Sequence, residues 1–247
     1  MKNGFNERTI ERSNDRTQLI SGLYAIADSG FCAVDRLPQF ARNVLEGGCR
    51  LIQLRMKANQ AGQAGYDEIK NIAREIMKLK REFDFTFIIN DHVDLAIESG
   101  ADGVHVGEND EPVASIRRRT GDRLLIGYSA HSLEEAATAE RQGADYVAFG
   151  AIFQTKTKGP GHPVQGLEKL ALVARSLGVP VVAIGGIGRA NIRDVVEAGA
   201  KTVAMISALA EAPDVVAEAR WFVKEIAQGS TSPSPSLQRR GIIPSPL

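Results

Sequence analysis

The chain has 247 residues, 43% of them hydrophobic and 24% charged, with 30 basic residues balanced by 30 acidic ones. That apolar fraction excludes wholesale disorder, and the neutral total gives no long-range field toward nucleic acid. No apolar run approaches the roughly 18 residues of a membrane span; the longest, Val179 to Gly188, is interrupted by Pro180 and three glycines. The two cysteines, Cys32 and Cys49, lack metal-ligand spacing and exclude a disulfide framework. They read as free thiols, a usage that fits a reducing cytoplasm.

Residues 1–20 form a short N-terminal extension. Glu7 and Glu11 stand near Arg8 and Arg12 at helical spacing, which predicts a frayed surface helix. There is no apolar stretch of the ~7–15 residues a secretory signal contains, and the acidic residues argue against a transit peptide. From here the chain alternates between two textures. Short, nearly continuous apolar runs occur at Leu23–Ala27, Leu51–Leu54, Thr86–Ile89, Gly103–Val106, Leu124–Gly127, Tyr146–Phe149, Val181–Ile184 and Thr202–Ile206. They suit parallel strands covered on both faces. Amphipathic segments lie between them, among them Leu133–Gln142 with a cap at His131-Ser132, Ala190–Ala198 and Ala212–Ile226. Gly100, Gly143 and Gly199 stand where helix C-termini want a left-handed residue.

Eight strand–helix units of about 25 residues each predict a single α/β domain, a (β/α)8 TIM barrel over residues 21–227. A doubly wound open sheet is the alternative. Against it, Ala27-Asp-Ser-Gly30 stands after the first strand in place of a Gly-x-Gly-x-x-Gly turn. Residues 228–247, with four of the ten prolines and five serines, read as a disordered tail. In a barrel, function belongs to the residues just after each strand.

After strand 2, alternation puts Gln53, Arg55 and Lys57 toward the lumen and Leu54 and Met56 away from it. Cations there need anionic partners, either a core carboxylate or a bound anion. Asp91, in Asn90-Asp91-His92, and Asp110, in Gly107-Glu-Asn-Asp110-Glu, follow strands 3 and 4. Each reads either as a helix cap or, taken as a pair, as ligands for one hard divalent cation such as Mg2+. Tyr128-Ser129-Ala130-His131 follows strand 5, and a flexible polar loop with Thr155, Lys156, Thr157 and Lys158 follows strand 6. Gly185-Gly186-Ile187-Gly188 after strand 7 and Ser207-Ala208 after strand 8 supply backbone amides suited to phosphate. The sum is two anion sites at one barrel mouth, sized for small phosphorylated substrates.

At these residues the chain resembles the thiamine phosphate synthase family. The likeness runs from Leu23 to Ala212. It is carried by Gln-Leu-Arg-x-Lys at 53–57, Ile-Ile-Asn-Asp at 88–91, Gly-Ala-Asp-Gly-Val-His-Val-Gly at 100–107 and Gly-Ala-Asp-Tyr-Val at 143–147. Thr-x-Thr-Lys at 155–158, Ala-Ile-Gly-Gly-Ile at 183–187 and Ile-Ser at 206–207 complete it. The resemblance implies a transferase that joins a pyrimidine diphosphate to a thiazole phosphate and releases diphosphate. It implies that Gln53, Arg55, Lys57, Asn90, Ser129 and Lys158 hold the pyrimidine diphosphate, within the 53–57 stretch that includes Leu54 and Met56. Arg55, Lys57, Ser129 and Lys158 would be the catalytic set, and Asp91 and Asp110 would carry Mg2+. Thr155, Lys156, Thr157, Gly186, Ile206 and Ser207 would lie against the thiazole phosphate. The chain departs from the family pattern at Met56, where the usual residue is Glu, and in the loop Gly159–Pro163. A related thiazole tautomerase, with His131 moving protons, and a non-catalytic sensor of phosphorylated thiamine precursors are the rival readings.

Overall fold

The computed structural model describes residues 16, 18–56, 65–155 and 163–229. Within them the apolar runs form eight parallel strands: β1 (Gly22–Asp28), β2 (Leu51–Arg55), β3 (Thr86–Asn90), β4 (Gly103–Val106), β5 (Leu125–Ala130), β6 (Tyr146–Gly150), β7 (Val181–Ile184) and β8 (Thr202–Met205). Each pairs with its sequence neighbours, and β8 returns to β1 to close the barrel. The open sheet is thereby excluded. The α-helices are α1 (Leu37–Glu46), α2 (Tyr66–Lys78), α3 (Val93–Ser99), α4 (Val113–Thr120), α5 (Leu133–Arg141), α6 (Gly166–Ser176), α7 (Ile192–Glu197), α8 (Ser207–Ala210) and α9 (Val215–Gly229). None of the described helices is long and apolar enough to cross a membrane.

Where the boundaries differ from expectation, a local bond explains it. β5 runs three residues past Gly127 because Tyr128, Ser129 and Ala130 continue the register with Val147, Ala148 and Phe149. α7 starts at Ile192 rather than Ala190, since the Asn191 side chain turns back to accept from the Gly188 amide at 2.8 Å. α9 starts at Val215, where the Asp214 carboxylate accepts from the Ala217 amide at 2.9 Å, a side-chain cap that the sequence reading passed over. It extends to Gly229; residues 1–15 and 230–247 lie outside the described residues. Gly100, Gly143 and Gly199 are left-handed as expected, with φ of 72°, 98° and 104°.

Alternation along the strands divides the core in two. One set of side chains packs outward against the helices, with Leu54, Met56, Ile89, Phe149 and Val203 among its members. The other fills the lumen: Tyr24, Ile26, Leu51, Ile88, Leu125, Tyr146, Ala148, Val182 and Ala204, with Ile20 joining from before β1. The largest lumen side chains are two tyrosines. Their rings meet edge-on at 6.0 Å and their hydroxyls lie 2.9 Å apart. Gly127 makes room for them, because a Cβ there would stand 2.1 Å from Tyr146 Cζ and 2.5 Å from His105 Nδ1.

The Gly-Ala-Asp segments serve the other end of the barrel. Asp145 accepts from the Ile126 amide at 2.7 Å and pairs with Arg117 and Arg16. Asp102 likewise accepts from the Phe87 amide at 2.7 Å and from Lys80 at 2.6 Å. These carboxylates tie strand starts together, far from any strand C-terminus.

Two outcomes follow for stability. Gly127→Ala should cost about 2 kcal/mol or more through overpacking, read as a lowered urea midpoint; an unchanged midpoint would mean that the lumen has slack. Burial raises the hydroxyl pKa of both Tyr24 and Tyr146 above the ordinary phenol value of 10.0. Above that pH the folded chain therefore keeps protons that the unfolded chain releases, so their contribution is intact below about pH 10 and falls as pH rises further. Urea titrations between pH 9 and 11 should show this fall, and Tyr146→Phe should make it shallower.

Candidate active site

The C-terminal ends of the strands open into a cavity of about 640 Å3. Its walls include Gln53 and Arg55 of β2, Asn90 and Asp91 at the end of β3, Asp110 after β4 and Ser129 of β5. Thr155 after β6, Gly186 after β7, and Ile206 and Ser207 after β8 complete the rim. Of the expected site residues that are described, these all meet at one mouth. Leu54 and Met56 do not: they turn outward into the core beneath the helices, only 1% and 4% exposed, as alternation requires. The absence of the family's Glu at position 56 therefore changes nothing on the cavity wall. Lys57, Lys156, Thr157 and Lys158 lie outside the described residues, as does most of the 159–163 loop.

Arg55 meets both readings offered for it. It lines the cavity, and its guanidinium also forms an ion pair with Asp28, whose side chain is wholly buried. Asp28 ends β1 directly beside Arg55 in register, and its other oxygen accepts from the Gly30 amide at 2.8 Å. The signal in the sequence for this residue is an acid at a strand C-terminus, Asp28 in Ala27-Asp-Ser-Gly30. The pair fixes the guanidinium and satisfies a charge that burial would otherwise penalise heavily.

Neither Asp91 nor Asp110 caps the helix that follows it. The residue preceding α3 is His92, and the one preceding α4 is Pro112. Asp91 instead sits at φ 63°, in the left-handed region that a non-glycine residue occupies at a cost of about 1–2 kcal/mol. Its amide is held by the His105 carbonyl at 2.8 Å. Asp110 folds back on its own loop, with one carboxylate oxygen accepting from the Gly107 amide at 2.7 Å. The two acids thus come from adjacent strand ends and share one wall of the cavity. Among the described residues no group of three or more His, Cys, Asp or Glu gathers at one point. Two hard oxygen donors fit Mg2+, which takes one or two carboxylates and fills its sphere with water and phosphate.

The glycines after β7 have a second reason to be there. Gly185 and Gly186 adopt φ of 101° and 67°, and a Cβ on them would stand 2.6 Å from Ala151 Cβ and 2.4 Å from the Gln154 carbonyl. They allow the β6 and β7 loops to pack as well as exposing backbone. The helices behind them are short, six residues in α7 and four in α8, so the phosphate argument rests on backbone amides more than on helix dipoles.

His131 also lines the cavity. Its Nδ1 donates to the Gly150 carbonyl at 2.8 Å, and its amide donates to Glu135 at 2.8 Å. Ser132 caps α5 as expected, accepting from the Glu135 amide at 3.1 Å. His105 lies on the cavity wall with its ring between two partners: Tyr146 Oη at 3.1 Å and Ser129 Oγ at 2.9 Å. A polar residue in the middle of an otherwise apolar strand, Gly103-Val-His-Val106, was the signal that could have found it.

Comparison with known proteins agrees with this geometry. Residues 23–209 match the family model described as thiamine monophosphate synthase. The chain is 41% identical over 206 residues to the thiamine-phosphate synthase of Methanocella arvoryzae, covering 83% of this chain and 95% of that one. It is 40% identical to that of Bacillus licheniformis over 215 residues, covering 87% and 94%. A solved thiamine phosphate pyrophosphorylase from Pyrococcus furiosus superposes with a TM-score of 0.76 at 36% identity, over 87% of this chain and 99% of that one. The 3-hexulose-6-phosphate synthase of Salmonella typhimurium, at 18% identity and a TM-score of 0.64 over 84% and 99% of the two chains, shares the fold alone. With the family model spanning the barrel and full-length relatives at about 40% identity, the chain belongs to the thiamine-phosphate synthase family, whose members are transferases.

Proposed function

We propose that this barrel mouth condenses 4-amino-2-methyl-5-(diphosphooxymethyl)pyrimidine with a thiazole phosphate, giving thiamine phosphate and diphosphate by a dissociative substitution. The observation that carries the reading is that one cavity is lined both by Arg55 with the carboxylates of Asp91, Glu108 and Asp110 and by the backbone of the glycine-rich turn after β7 and of Ile206-Ser207 after β8. A diphosphate and a monophosphate can then be held side by side. In this reading Arg55, Lys57 and Lys158 meet the diphosphate, and Gln53, Asn90 and Ser129 hold the pyrimidine. Thr155, Lys156, Thr157, Ser207 and the amides of Gly186 and Ile206 hold the thiazole phosphate. Leu54 and Met56 would contribute only through backbone. Asp91 and Asp110 would hold Mg2+, which when bound supplies positive charge to the departing diphosphate.

The chemistry asks little of the protein beyond charge and position. The carbon–oxygen bond to diphosphate breaks with both electrons leaving on oxygen, and the electron-rich aminopyrimidine carries the resulting cation. The thiazole nitrogen then closes on that carbon. No side chain must act as nucleophile or general base, so the rim's cations and hydrogen-bond donors suffice. Arg55 is already oriented by Asp28, which spares reorganisation when the leaving group develops charge. The thiazole, held against β7 and β8, stands ready to capture the cation before water does. His131 lines the same cavity, and its Nδ1–H bond to the Gly150 carbonyl makes Nε2 the proton acceptor, so the tautomerase reading is separated from this one by the product formed.

Asp91→Asn should lower turnover about 100-fold while the unfolding free energy from urea titration stays within about 0.5 kcal/mol of the parent. In the unaltered protein, excess chelator should abolish diphosphate release and Mg2+ should restore it. Full activity in chelator would discard the metal assignment, and an unchanged rate in the variant would remove Asp91 from it. Asp28→Asn tests the pair with Arg55. Removing the buried carboxylate beside this guanidinium should cost about 3 kcal/mol of stability, measured by urea unfolding; a loss below about 1 kcal/mol would show that water already screens the pair.

A further inference from the structure

Gln53 and Ser129 stand three strands apart on the barrel wall, yet an unbroken chain of hydrogen bonds joins them through the lumen. Gln53 Nε2 donates to Tyr24 Oη at 2.7 Å, and Tyr24 Oη lies 2.9 Å from Tyr146 Oη. Tyr146 Oη lies 3.1 Å from His105 Nδ1, and His105 Nε2 lies 2.9 Å from Ser129 Oγ. Tyr24, Tyr146, Gln53 and His105 are all buried, and the His105 ring stacks on Tyr146 at 5.5 Å. We propose that Tyr24, Tyr146 and His105 are positioning residues, a buried chain that fixes the Gln53 amide and the Ser129 hydroxyl in one shared orientation. This rests on the reading of Gln53 and Ser129 as pyrimidine contacts.

The number of protons in the chain fixes its direction. Each phenol has one proton to give, and a neutral imidazole donates from one nitrogen and accepts at the other. With the Gln53 amide donating into Tyr24, the Tyr24 proton goes to Tyr146 and the Tyr146 proton to His105 Nδ1. His105 then donates from Nε2 to Ser129, and Ser129 turns its own proton to the ligand. Gln53 keeps its carbonyl for the ligand, an acceptor suited to an amino group on a heteroaromatic ring. Turning the Gln53 amide over reverses every link at once: Gln53 then offers its NH2 and Ser129 offers only lone pairs. The two ends cannot change character independently. Groups buried together in this way are strongly coupled, since an unsatisfied member retains its full desolvation penalty.

The test measures coupling between the ends. Gln53→Ala, Ser129→Ala and the double variant are compared by kcat/KM for the pyrimidine diphosphate, first in the parent and then with Tyr146→Phe in the background. In the parent, the double variant should lose about tenfold less than the product of the single losses, because either end alone is no longer oriented once the other is gone. In the Tyr146→Phe background the losses should simply multiply. Tyr24→Phe removes a different link and should give the same result, which keeps the test intact if Tyr146→Phe does not fold. Equal coupling with and without these hydroxyls, or no coupling in the parent, overturns the proposal while the parent still makes thiamine phosphate. A parent that makes no product from the two substrates overturns the functional reading and the proposal with it.

Discussion

The constraint on which the rest depends is alternation in a closed parallel barrel. Once β8 pairs with β1, every strand residue faces either the lumen or the helices, and a shift of one residue would exchange the two sets. On β2 this sends Gln53 and Arg55 inward and Leu54 outward, with Met56 packed outward just beyond the strand. The same rule turns both His105 on β4 and Ser129 on the adjacent β5 into the lumen, where they meet side by side. The site is therefore a by-product of register: residues remote in sequence converge because the strands carrying them are locked in phase.

A lumen that is filled near the strand starts and open at their ends has to change from apolar to polar along its length. Leu51, Ile88, Leu125 and Val182 fill the lower part. The transition falls on Tyr24 and Tyr146, whose rings are apolar bodies and whose hydroxyls begin the polar layer. Above them come Gln53 and His105, then Arg55 with Asp28, then the rim. Each polar group in this gradient has its partner within the layer, as low dielectric demands. Gly127 belongs to the same design, since only a residue without a Cβ lets Tyr146 and His105 approach β5.

Much of this was legible in the sequence, and for identifiable reasons. The strands were visible because two-sided burial writes them as apolar runs, and the inward face of β2 followed from alternation alone. Left-handed glycines at 100, 143 and 199 marked helix ends by backbone sterics. What sequence could not resolve were relations across the barrel. Whether Asp91 and Asp110 were caps or cavity residues depended on where α3 and α4 start, and only the backbone gives that. The partner of Arg55 needed the β1–β2 register. The aspartates of the Gly-Ala-Asp segments helped to mark the family, yet they stabilise the opposite end of the barrel. The resemblance was sound, but motif membership did not by itself separate residues of the site from residues of the scaffold.

The charges on the rim carry one last step. Among the described residues that line the cavity, Arg55 stands against three carboxylates, Asp91, Glu108 and Asp110, and Arg55 is itself paired with Asp28. For an entering diphosphate, these three acids weigh against Arg55 among the described residues. On the function proposed above, a divalent cation held by Asp91 and Asp110, together with Lys57 and Lys158, would offset that charge. This argues that the rim is built to bind an anion together with its counter-ion. The acidic wall would then discriminate against a bare diphosphate as firmly as the assembled site favours the metal-bound one.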